Sequence, residues 1–528
     1  MYFLSAIFVS LVYLTIAFTS GNLGIPHNDA WSHSRIAVNY ATTGEIQLLG
    51  WNRSALVGQI FVLGVFGKSI VLQQIFVSLL SMLGLFAIYR ILLEALGTNK
   101  AGIATLLITI WPGYALLTTS FMADMPMFSG IFMSLAIANH ALKKDSKWLY
   151  MFSLVIGLWA FTIREQALAA PVAILLVAIF KRKELVVISQ RILTISILVF
   201  IAVLATFVAW RIQLPNSDGA DFTFRDNGVL VAFGGIVRGW FNLALIIGIP
   251  VLFGNRLNLK SNRVRLSVLT TFILGIAALI YSGINNFFLP NYLNIFGSYA
   301  EALPPTAPLF PKYLWLALIV IAIVLGSLSA PIVFVNLRTV NPLVTTFTAL
   351  TLIGTIGQFL TMQGVFDRYF IVFLPFLLSI TLRGNFTSLL KQGNRISSAL
   401  RISVVTFIAA ISMALSLHSW SFDIARWNLA SQLVSANIPA DRINAGLEWQ
   451  GYNSKQGVVN AEVIPSWGFD YLFNADSCRV ISSLDLDQVV YSRDTSAWDF
   501  VSEHSYPTYL YVGSSNLYVF DTNSAGCP

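Results

Sequence analysis

The sequence predicts an all-α polytopic membrane protein with amphipathic helices in its first outer loop and a small α/β domain at its C-terminal end. Two observations support this fold class. The 528 residues are 56% hydrophobic and only 11% charged, with a mean hydropathy of +0.73, whereas charged residues form roughly a quarter of a typical soluble domain. Apolar runs of about 18 to 25 residues also recur, each long enough to cross the membrane as a helix.

The apolar runs predict about thirteen membrane-spanning helices, with boundaries accurate to several residues. They cover residues 2–19, 69–93, 101–119, 123–142, 148–163, 167–180, 192–210, 236–254, 266–284, 313–336, 342–361, 369–382 and 398–416. No Lys or Arg precedes the first run, and no A-x-A site follows it. We therefore expect a retained first span rather than a cleaved signal peptide.

Basic residues in short loops predict the side of the membrane on which each loop lies. They follow the even-numbered spans: Lys143, Lys144, Lys147, Lys181, Arg182, Lys183, Arg256, Lys260, Arg263, Arg265, Arg383, Lys391, Arg395 and Arg401. Such loops are cytoplasmic in multi-pass proteins of the plasma membrane. The N-terminus is then predicted to be cytoplasmic, and the opposite loops 20–68, 120–122, 164–166, 211–235, 285–312 and 362–368 extracytoplasmic. This topology, rather than nucleic-acid binding, explains the net charge of +8.

The polar tail is predicted to be a separate domain. Residues 1–416 form the predicted transmembrane domain, and residues 417–528 a small soluble domain, which an odd number of spans places outside. Both cysteines, Cys478 and Cys527, lie in this tail. An oxidising compartment favours a disulfide between them, and two unpaired thiols are the alternative. The chain has no Gly-rich phosphate loop, which disfavours ATP-driven transport.

The first outer loop carries an aspartate in a polar setting. Asp29 is flanked by His27, Asn28 and His33, and the apolar spacing from Ala30 to Ala41 predicts a short amphipathic helix on the membrane surface. Asp29 has two interpretations: the N-cap of this helix, or a carboxylate presented for function. The two histidines are candidates for binding an acceptor or a metal, although surface histidines more often do neither.

Three further polar features interrupt apolar runs on the same predicted face. Asp124 begins a span just before Pro126, as an N-cap also would. Arg164 precedes Glu165 and Gln166, and either pairs with Glu165 or faces an anionic ligand such as phosphate. Arg368 and Tyr369 open another span, where an interfacial anchor pair is the alternative. Carboxylates, arginines and aromatic residues on one face suit a substrate with an anionic head and an apolar tail.

Together these motifs resemble the GT-C superfamily of membrane glycosyltransferases, in particular its family 39-like and dolichyl-phosphate-mannose mannosyltransferase-like bacterial members. Asp29 matches the first of two acidic residues in the first outer loop, Ala30 stands where the second often lies, and Trp31 and Gly44 follow. The segments 121–126, 164–166 and 368–375 resemble later family motifs. The tail segment Asn444-Ala-Gly-Leu-Glu-Trp-Gln-Gly451 is similar to a Gly-x-Glu-Trp-x-Gly stretch of the same group.

The resemblance implies a GT-C-like fold and transfer of a hexose or pentose, with inversion, from a polyprenyl-phosphate donor. The acceptor would be a hydroxyl of a glycan, lipid or protein, and membrane lipids would be the other partner. Asp29 would be the general base, and Arg164 and Arg368 would stabilise the departing phosphate. The remaining candidate substrate-binding residues are Asn28, Trp31, Arg53, Gln166 and Tyr369.

Two alternatives stay open from the sequence. A divalent cation, magnesium or manganese, held by Asp29 and Asp124 is a second way to neutralise the phosphate. A transporter or flippase of lipid-linked saccharides is the main alternative function, and a scaffold or receptor with an outer binding domain is another. Transporters typically show internal repeats and polar sites near the middle of the membrane, and neither is visible here.

Overall fold

The computed structural model describes residues 2–49, 57–213, 224–254, 261–299, 308–337, 340–361, 364–383, 395–454, 477–483, 485, 498–508, 513–524 and 527. Within these ranges the chain forms seventeen α-helices, several short 3₁₀ helices and one four-stranded sheet.

The helices, in chain order, are α1 (Tyr2–Thr19), α2 (Ala30–Thr43), α3 (Gly58–Leu63), α4 (Ile70–Thr109), α5 (Tyr114–Thr118), α6 (Asp124–Lys144), α7 (Lys147–Ile163), α8 (Ala169–Phe180), α9 (Gln190–Gln213), α10 (Gly228–Ile247), α11 (Ile249–Gly254), α12 (Asn262–Ser282), α13 (Lys312–Asn336), α14 (Pro342–Leu360), α15 (Leu374–Thr381), α16 (Arg395–Ser435) and α17 (Leu447–Asn453). The 3₁₀ helices are Gly64–Lys68, Glu165–Leu168, Asp367–Phe373 and Ala440–Arg442.

The predicted class of multi-pass helical membrane protein is confirmed. In the described ranges, nine helices are long and apolar enough to cross a membrane: α1, α4, α6, α9, α10, α12, α13, α14 and α16. Three shorter apolar segments, Gly58–Lys68, Lys147–Ile163 and Glu165–Phe180, accompany them.

The predicted count of thirteen spans is not confirmed, because several apolar runs form broken or joined helices. The predicted spans 69–93 and 101–119 correspond to α4, whose backbone breaks at Gly97 (φ +74°), and to the short helix α5. The predicted span 369–382 divides into a 3₁₀ helix and the eight-residue α15, with a proline at its start. Hydropathy alone detects the apolar run but not the break inside it.

Helix α6 is the central element that carries Asp124. Its neighbours approach through small side chains, since a Cβ on Gly130 would lie 2.7 Å from Ala160 Cβ of α7. A Cβ on Gly84 of α4 would likewise lie 2.6 Å from Ser129 Oγ of α6. Small residues permit this close packing of membrane helices. The helix that begins with Asp124 is therefore held by close packing on two sides.

The C-terminal region forms a small sheet in the order β1-β2-β4-β3. The strands are β1 (Ile443–Asn444), β2 (Arg479–Ser482), β3 (Asp499–Thr508) and β4 (Gly513–Asp521). The β1–β2 pair is parallel, and the other two pairs are antiparallel. Helix α16 continues through the predicted domain boundary at residues 416–417 and ends at Ser435. One helix therefore leads from the bundle into the region that contains the sheet, for which we keep the name C-terminal domain.

A disulfide joins Cys478 to Cys527, which resolves the choice that the sequence left open. The bond links the residue before β2 to the chain beyond β4, and it closes a loop with a sequence separation of 49 residues. Cys478 is fully buried in the core of the C-terminal domain.

Removing this disulfide is expected to destabilise the C-terminal domain. In the Cys478→Ser/Cys527→Ser variant, the unfolding free energy should fall by about 2–4 kcal/mol, because the unfolded loop is no longer constrained. Limited proteolysis of the purified protein over a temperature series measures the loss. The wild-type protein treated with a reductant is the control, and equal protease resistance of variant and oxidised wild type would contradict the prediction.

Candidate active site

Asp29 precedes α2 but does not act as its side-chain cap. Its carboxylate makes no capping hydrogen bond to the helix. Instead, Oδ2 accepts a hydrogen bond from Arg368 Nη2 at 3.0 Å, and Oδ1 accepts one from the Tyr299 hydroxyl at 3.4 Å. Of the two interpretations of Asp29, the geometry favours a carboxylate presented to a polar site.

Asp124 and Arg164 form a second ion pair beside the first. Arg164 Nη1 donates to Asp124 Oδ1 at 2.6 Å, and Arg368 Nε lies 3.7 Å from the same oxygen. Asp124 is the first residue of α6, and Arg164 lies between α7 and the 3₁₀ helix Glu165–Leu168. Arg164 is thus paired with a carboxylate on a neighbouring helix.

The four charged residues form a continuous alternating series, Asp29–Arg368–Asp124–Arg164, which we call the charge quartet. Its inner members are almost fully buried, Asp124 at 2% and Arg368 at 5% side-chain exposure, while Asp29 and Arg164 at its ends are each 20% exposed. Two carboxylates and two guanidinium groups cancel in formal charge, as buried charges require. A ligand therefore meets a carboxylate at one end and a guanidinium group at the other.

Aromatic rings support both arginines. The Arg164 guanidinium lies 4.3 Å from the centroid of the Tyr369 ring, and that of Arg368 lies 5.1 Å from Phe366 and 5.5 Å from Tyr369. Cations are attracted to such ring faces, more strongly where water is excluded. The sequence motif Phe366–Tyr369 is therefore part of the site and not only an interfacial anchor.

Sequence reasoning missed the loop that follows α12. In this loop, Asn291 Oδ1 accepts from Arg368 Nη1 at 3.2 Å, Tyr292 Oη accepts from Asn28 Nδ2 at 3.3 Å, and Tyr299 reaches Asp29. Both Asn291 (φ +129°) and Tyr299 (φ +58°) have left-handed backbone conformations. Such values are rare for a bulky residue and concentrate at functional sites.

Asp367 holds this loop in place. Its Oδ2 accepts the backbone N–H groups of Tyr292 at 3.0 Å and Leu293 at 2.7 Å. Burial raises the pKa of the Asp367 carboxyl to about 7, although the N–H groups and Arg368 favour its charged form. The residue before Arg368 therefore connects the missed loop to the quartet.

The other predicted site residues contact other parts of the chain. Gln166 Nε2 donates to Gln358 Oε1 of α14 at 3.1 Å. Trp31 is fully buried, with its ring against Gly451. His27 lies against Asp423 and His33 against the carbonyl of Phe121. Arg53 falls outside the described residues.

The predicted cation site at Asp29 and Asp124 does not fit this donor set. The Arg368 guanidinium contacts both carboxylates, so a divalent cation between them would face a fixed positive charge at close range. The charge that such a cation would supply is already present as arginine. No step of the mechanism below is therefore assigned to a metal.

His33 is expected to make stability depend on pH. Its Nδ1–H donates to the Phe121 carbonyl at 3.2 Å, and burial lowers the pKa of this imidazole to about 4 despite Asp29 and Asp124 nearby. The unfolded chain, with a pKa of about 6.5, then binds the proton first. Stability is full above pH 6.5 and falls as the pH drops towards 4, by up to roughly 3 kcal/mol.

Thermal unfolding of the purified protein between pH 7 and pH 4 measures this dependence. The His33→Gln variant should show a flatter profile, because glutamine keeps a polar group but does not titrate. The His504→Gln variant on the exposed strand β3 is the matched control and should follow the wild type. Parallel profiles for wild type and His33→Gln would contradict the assignment.

Comparison with known proteins adds to this geometry. The family model "Dolichyl-phosphate-mannose-protein mannosyltransferase" matches residues 56–210, a range that contains Asp124, Arg164 and Gln166. Comparison with curated proteins gives no significant match. Among solved structures, ArnT from Cupriavidus metallidurans bound to undecaprenyl phosphate aligns over 98% of each chain, with 13% identity and a TM-score of 0.38. The family match confirms, over residues 56–210, the predicted resemblance of this chain to the dolichyl-phosphate-mannose mannosyltransferases.

Proposed function

We propose that the chain transfers a sugar from a polyprenyl-phosphate donor to an acceptor hydroxyl at the extracytoplasmic face of the membrane. The charge quartet is the observation that carries this proposal. It draws together four segments of the chain, and its partly exposed ends present a base and a cation. A sugar bound between an acceptor hydroxyl and a phosphate needs both of these groups.

In the proposed reaction, Asp29 acts as general base. The carboxylate accepts the proton of the acceptor hydroxyl while the hydroxyl oxygen attacks the anomeric carbon. The bond from that carbon to the phosphate oxygen breaks, and the polyprenyl phosphate leaves with the bonding electrons. A single displacement of this kind inverts the anomeric configuration. The Tyr299 and Arg368 contacts orient the Asp29 carboxylate before the reaction.

The two arginines have different proposed roles, because they differ in exposure to solvent. Arg164 is the more exposed and stacks on Tyr369, so it is the group placed to contact the leaving phosphate. Arg368 is nearly buried and holds Asp29 and Asp124 apart. Positive charge aimed at the phosphate lowers the barrier, because negative charge develops there as the sugar departs.

The orientation of α6 supports an extracytoplasmic site. Asp124 begins this 21-residue helix, and Lys143 and Lys144 lie in its last turn. At 1.5 Å per residue, the two ends are about 30 Å apart, the thickness of the hydrocarbon core. Because basic residues favour the cytoplasmic side, the quartet is assigned to the outer side. This end-of-helix placement also differs from the mid-membrane site typical of transporters.

Release of free polyprenyl phosphate tests the proposal. Purified protein in lipid nanodiscs is incubated with a panel of radiolabelled undecaprenyl-phosphate hexoses and pentoses and with an extract of cell-envelope glycolipids. We expect labelled glycolipid and free undecaprenyl phosphate in equal amounts. Movement of intact donor between leaflets of proteoliposomes, without any undecaprenyl phosphate, would instead support the flippase alternative and refute the transferase.

A further inference from the structure

A second buried ion network joins the first outer loop to the C-terminal domain. Arg426 of α16 donates through Nη1 to Glu448 Oε2 and through Nη2 to Asp423 Oδ1, each at 2.9 Å. The other Asp423 oxygen, Oδ2, lies 2.6 Å from His27 Nδ1. We call His27, Asp423, Arg426 and Glu448 the clamp; all four are at most 3% exposed. Its members come from the first outer loop, α16 and α17.

The clamp reaches the residue next to Asp29. Glu448 Oε1 accepts the backbone N–H of Asn28 at 3.4 Å, and Asn28 is fully buried with φ +59°. A buried N–H group needs an acceptor, and here the acceptor belongs to the C-terminal domain. The His27–Asn28 peptide, one residue before Asp29, is therefore fixed by Glu448.

Helix α17 contacts α2 beyond Asp29 as well. A Cβ on Gly451 would lie 2.4 Å from atoms of the Trp31 ring, so only glycine allows this approach. Arg35 Nη1 donates to the carbonyls of Gly451 at 2.7 Å and Ser454 at 2.9 Å. The Glu448 side chain and the backbone of Gly451 and Ser454 thus hold the chain on both sides of Asp29.

We propose that Glu448, held by Arg426, is a positioning residue for Asp29 in sugar transfer, so that the C-terminal domain helps to form the transfer site. This inference rests on the proposed function of Asp29. Stability alone does not account for such a network, since buried ion pairs are often no more stabilising than apolar residues of equal volume. A cation site is also disfavoured here, because Arg426 already binds one oxygen of each carboxylate.

The Glu448→Gln variant tests the role of this carboxylate. Glutamine keeps the size of the side chain, but one of its two terminal atoms becomes an NH₂ donor. It therefore opposes either Arg426 or the Asn28 N–H, both of which are donors. We expect kcat of transfer to fall about 10- to 100-fold, as for a displaced catalytic group, while the donor KM changes less than about twofold.

The matched control is Gln450→Ala on the same helix. Gln450 Nε2 donates to the Ile443 carbonyl within the C-terminal domain at 2.9 Å, and none of its described hydrogen bonds involves the first outer loop. Its replacement should lower the melting temperature, because the buried Ile443 carbonyl loses its side-chain donor. It should leave kcat within about twofold. Arg426→Lys, which keeps the charge but not the two-armed contact, serves as a second clamp variant and should reproduce the kcat loss.

Amide hydrogen exchange provides a readout that needs no activity. Exchange of residues 28–32 should accelerate in Glu448→Gln and Arg426→Lys, but not in Gln450→Ala. A kcat loss that follows the loss of melting temperature in all three variants would overturn the proposal, as would unchanged exchange or unchanged kcat in both clamp variants. If the wild type transfers no sugar, the proposed function fails, whereas exchange still shows whether Glu448 holds the loop.

Discussion

Replacing Asp29 by asparagine is expected to lower kcat of sugar transfer by roughly 10²- to 10⁴-fold, the usual contribution of a general base. The amide keeps the shape of the carboxylate and an oxygen that accepts from Arg368, whose contact with Asp29 Oδ2 measures 3.0 Å. It does not take the proton of an acceptor hydroxyl. The loss should therefore appear in kcat, with expression and membrane insertion unchanged. Formation of labelled glycolipid and release of free undecaprenyl phosphate measure it.

Asp145→Asn is the matched control for this substitution. Asp145 lies just beyond the opposite end of α6, where its carboxylate accepts the backbone N–H groups of Val186, Val187 and Ile188. The variant also lacks one carboxylate, but none of the described hydrogen bonds of Asp145 involves the quartet. Transfer should therefore stay within about twofold of wild type. Near-normal transfer by purified Asp29→Asn would refute the assignment of Asp29 as base.

The sequence was sufficient to find the quartet but not its pairing. A charged side chain at the end of an apolar span is costly unless it meets a partner or a polar cavity. Each charged residue that interrupts an apolar run therefore indicated a candidate polar site. The partners, however, are remote in sequence. Asp29 and Arg368 are 339 residues apart, and Asp124 and Arg164 are 40 apart. Local alternatives, such as an N-cap at Asp29, were as consistent with the sequence as these pairs.

The loop after α12 and the clamp gave weaker signals. Asn291, Tyr292 and Tyr299 belong to a stretch whose composition is ordinary for an outer loop. Two of them, Asn291 and Tyr299, have left-handed backbone conformations, but neither is a glycine, so the sequence does not indicate these conformations. His27 was a candidate for metal or acceptor binding, whereas its ring pairs with Asp423. Only the Glu448-Trp449 motif pointed to the C-terminal domain, and it did so by family resemblance rather than by chemistry.

Replacing either arginine of the quartet is expected to weaken donor binding, but with different effects on stability. Arg164→Ala should raise the Kd for undecaprenyl phosphate about 10- to 100-fold, the worth of a charge-assisted hydrogen bond. Asp124 keeps a second arginine nearby, since Arg368 Nε lies 3.7 Å from its Oδ1. The melting temperature should therefore fall less than it does in Arg368→Ala. Arg164→Lys retains the charge but not the planar stacking on Tyr369, and it should recover part of the affinity.

Arg368→Ala should be far more damaging to the fold. It leaves Asp29 and Asp124 in a buried site without the charge between them, and breaking a buried pair in this way costs about 3–5 kcal/mol. Asp124 keeps its ion pair with Arg164, whereas Asp29 loses its arginine. Arg368→Ala/Asp29→Asn removes the carboxylate that has lost its arginine and should recover part of the lost melting temperature.

Binding of spin-labelled undecaprenyl phosphate to protein in nanodiscs, together with thermal unfolding, separates the two roles. A large affinity loss in Arg164→Ala, with a smaller loss of melting temperature than in Arg368→Ala, would assign the phosphate contact to Arg164. If both alanine variants bind undecaprenyl phosphate as the wild type does, neither arginine contacts the phosphate. If instead Arg368→Ala alone loses affinity while remaining folded, the phosphate contact belongs to the buried arginine, and a bound donor must displace one of its two carboxylates.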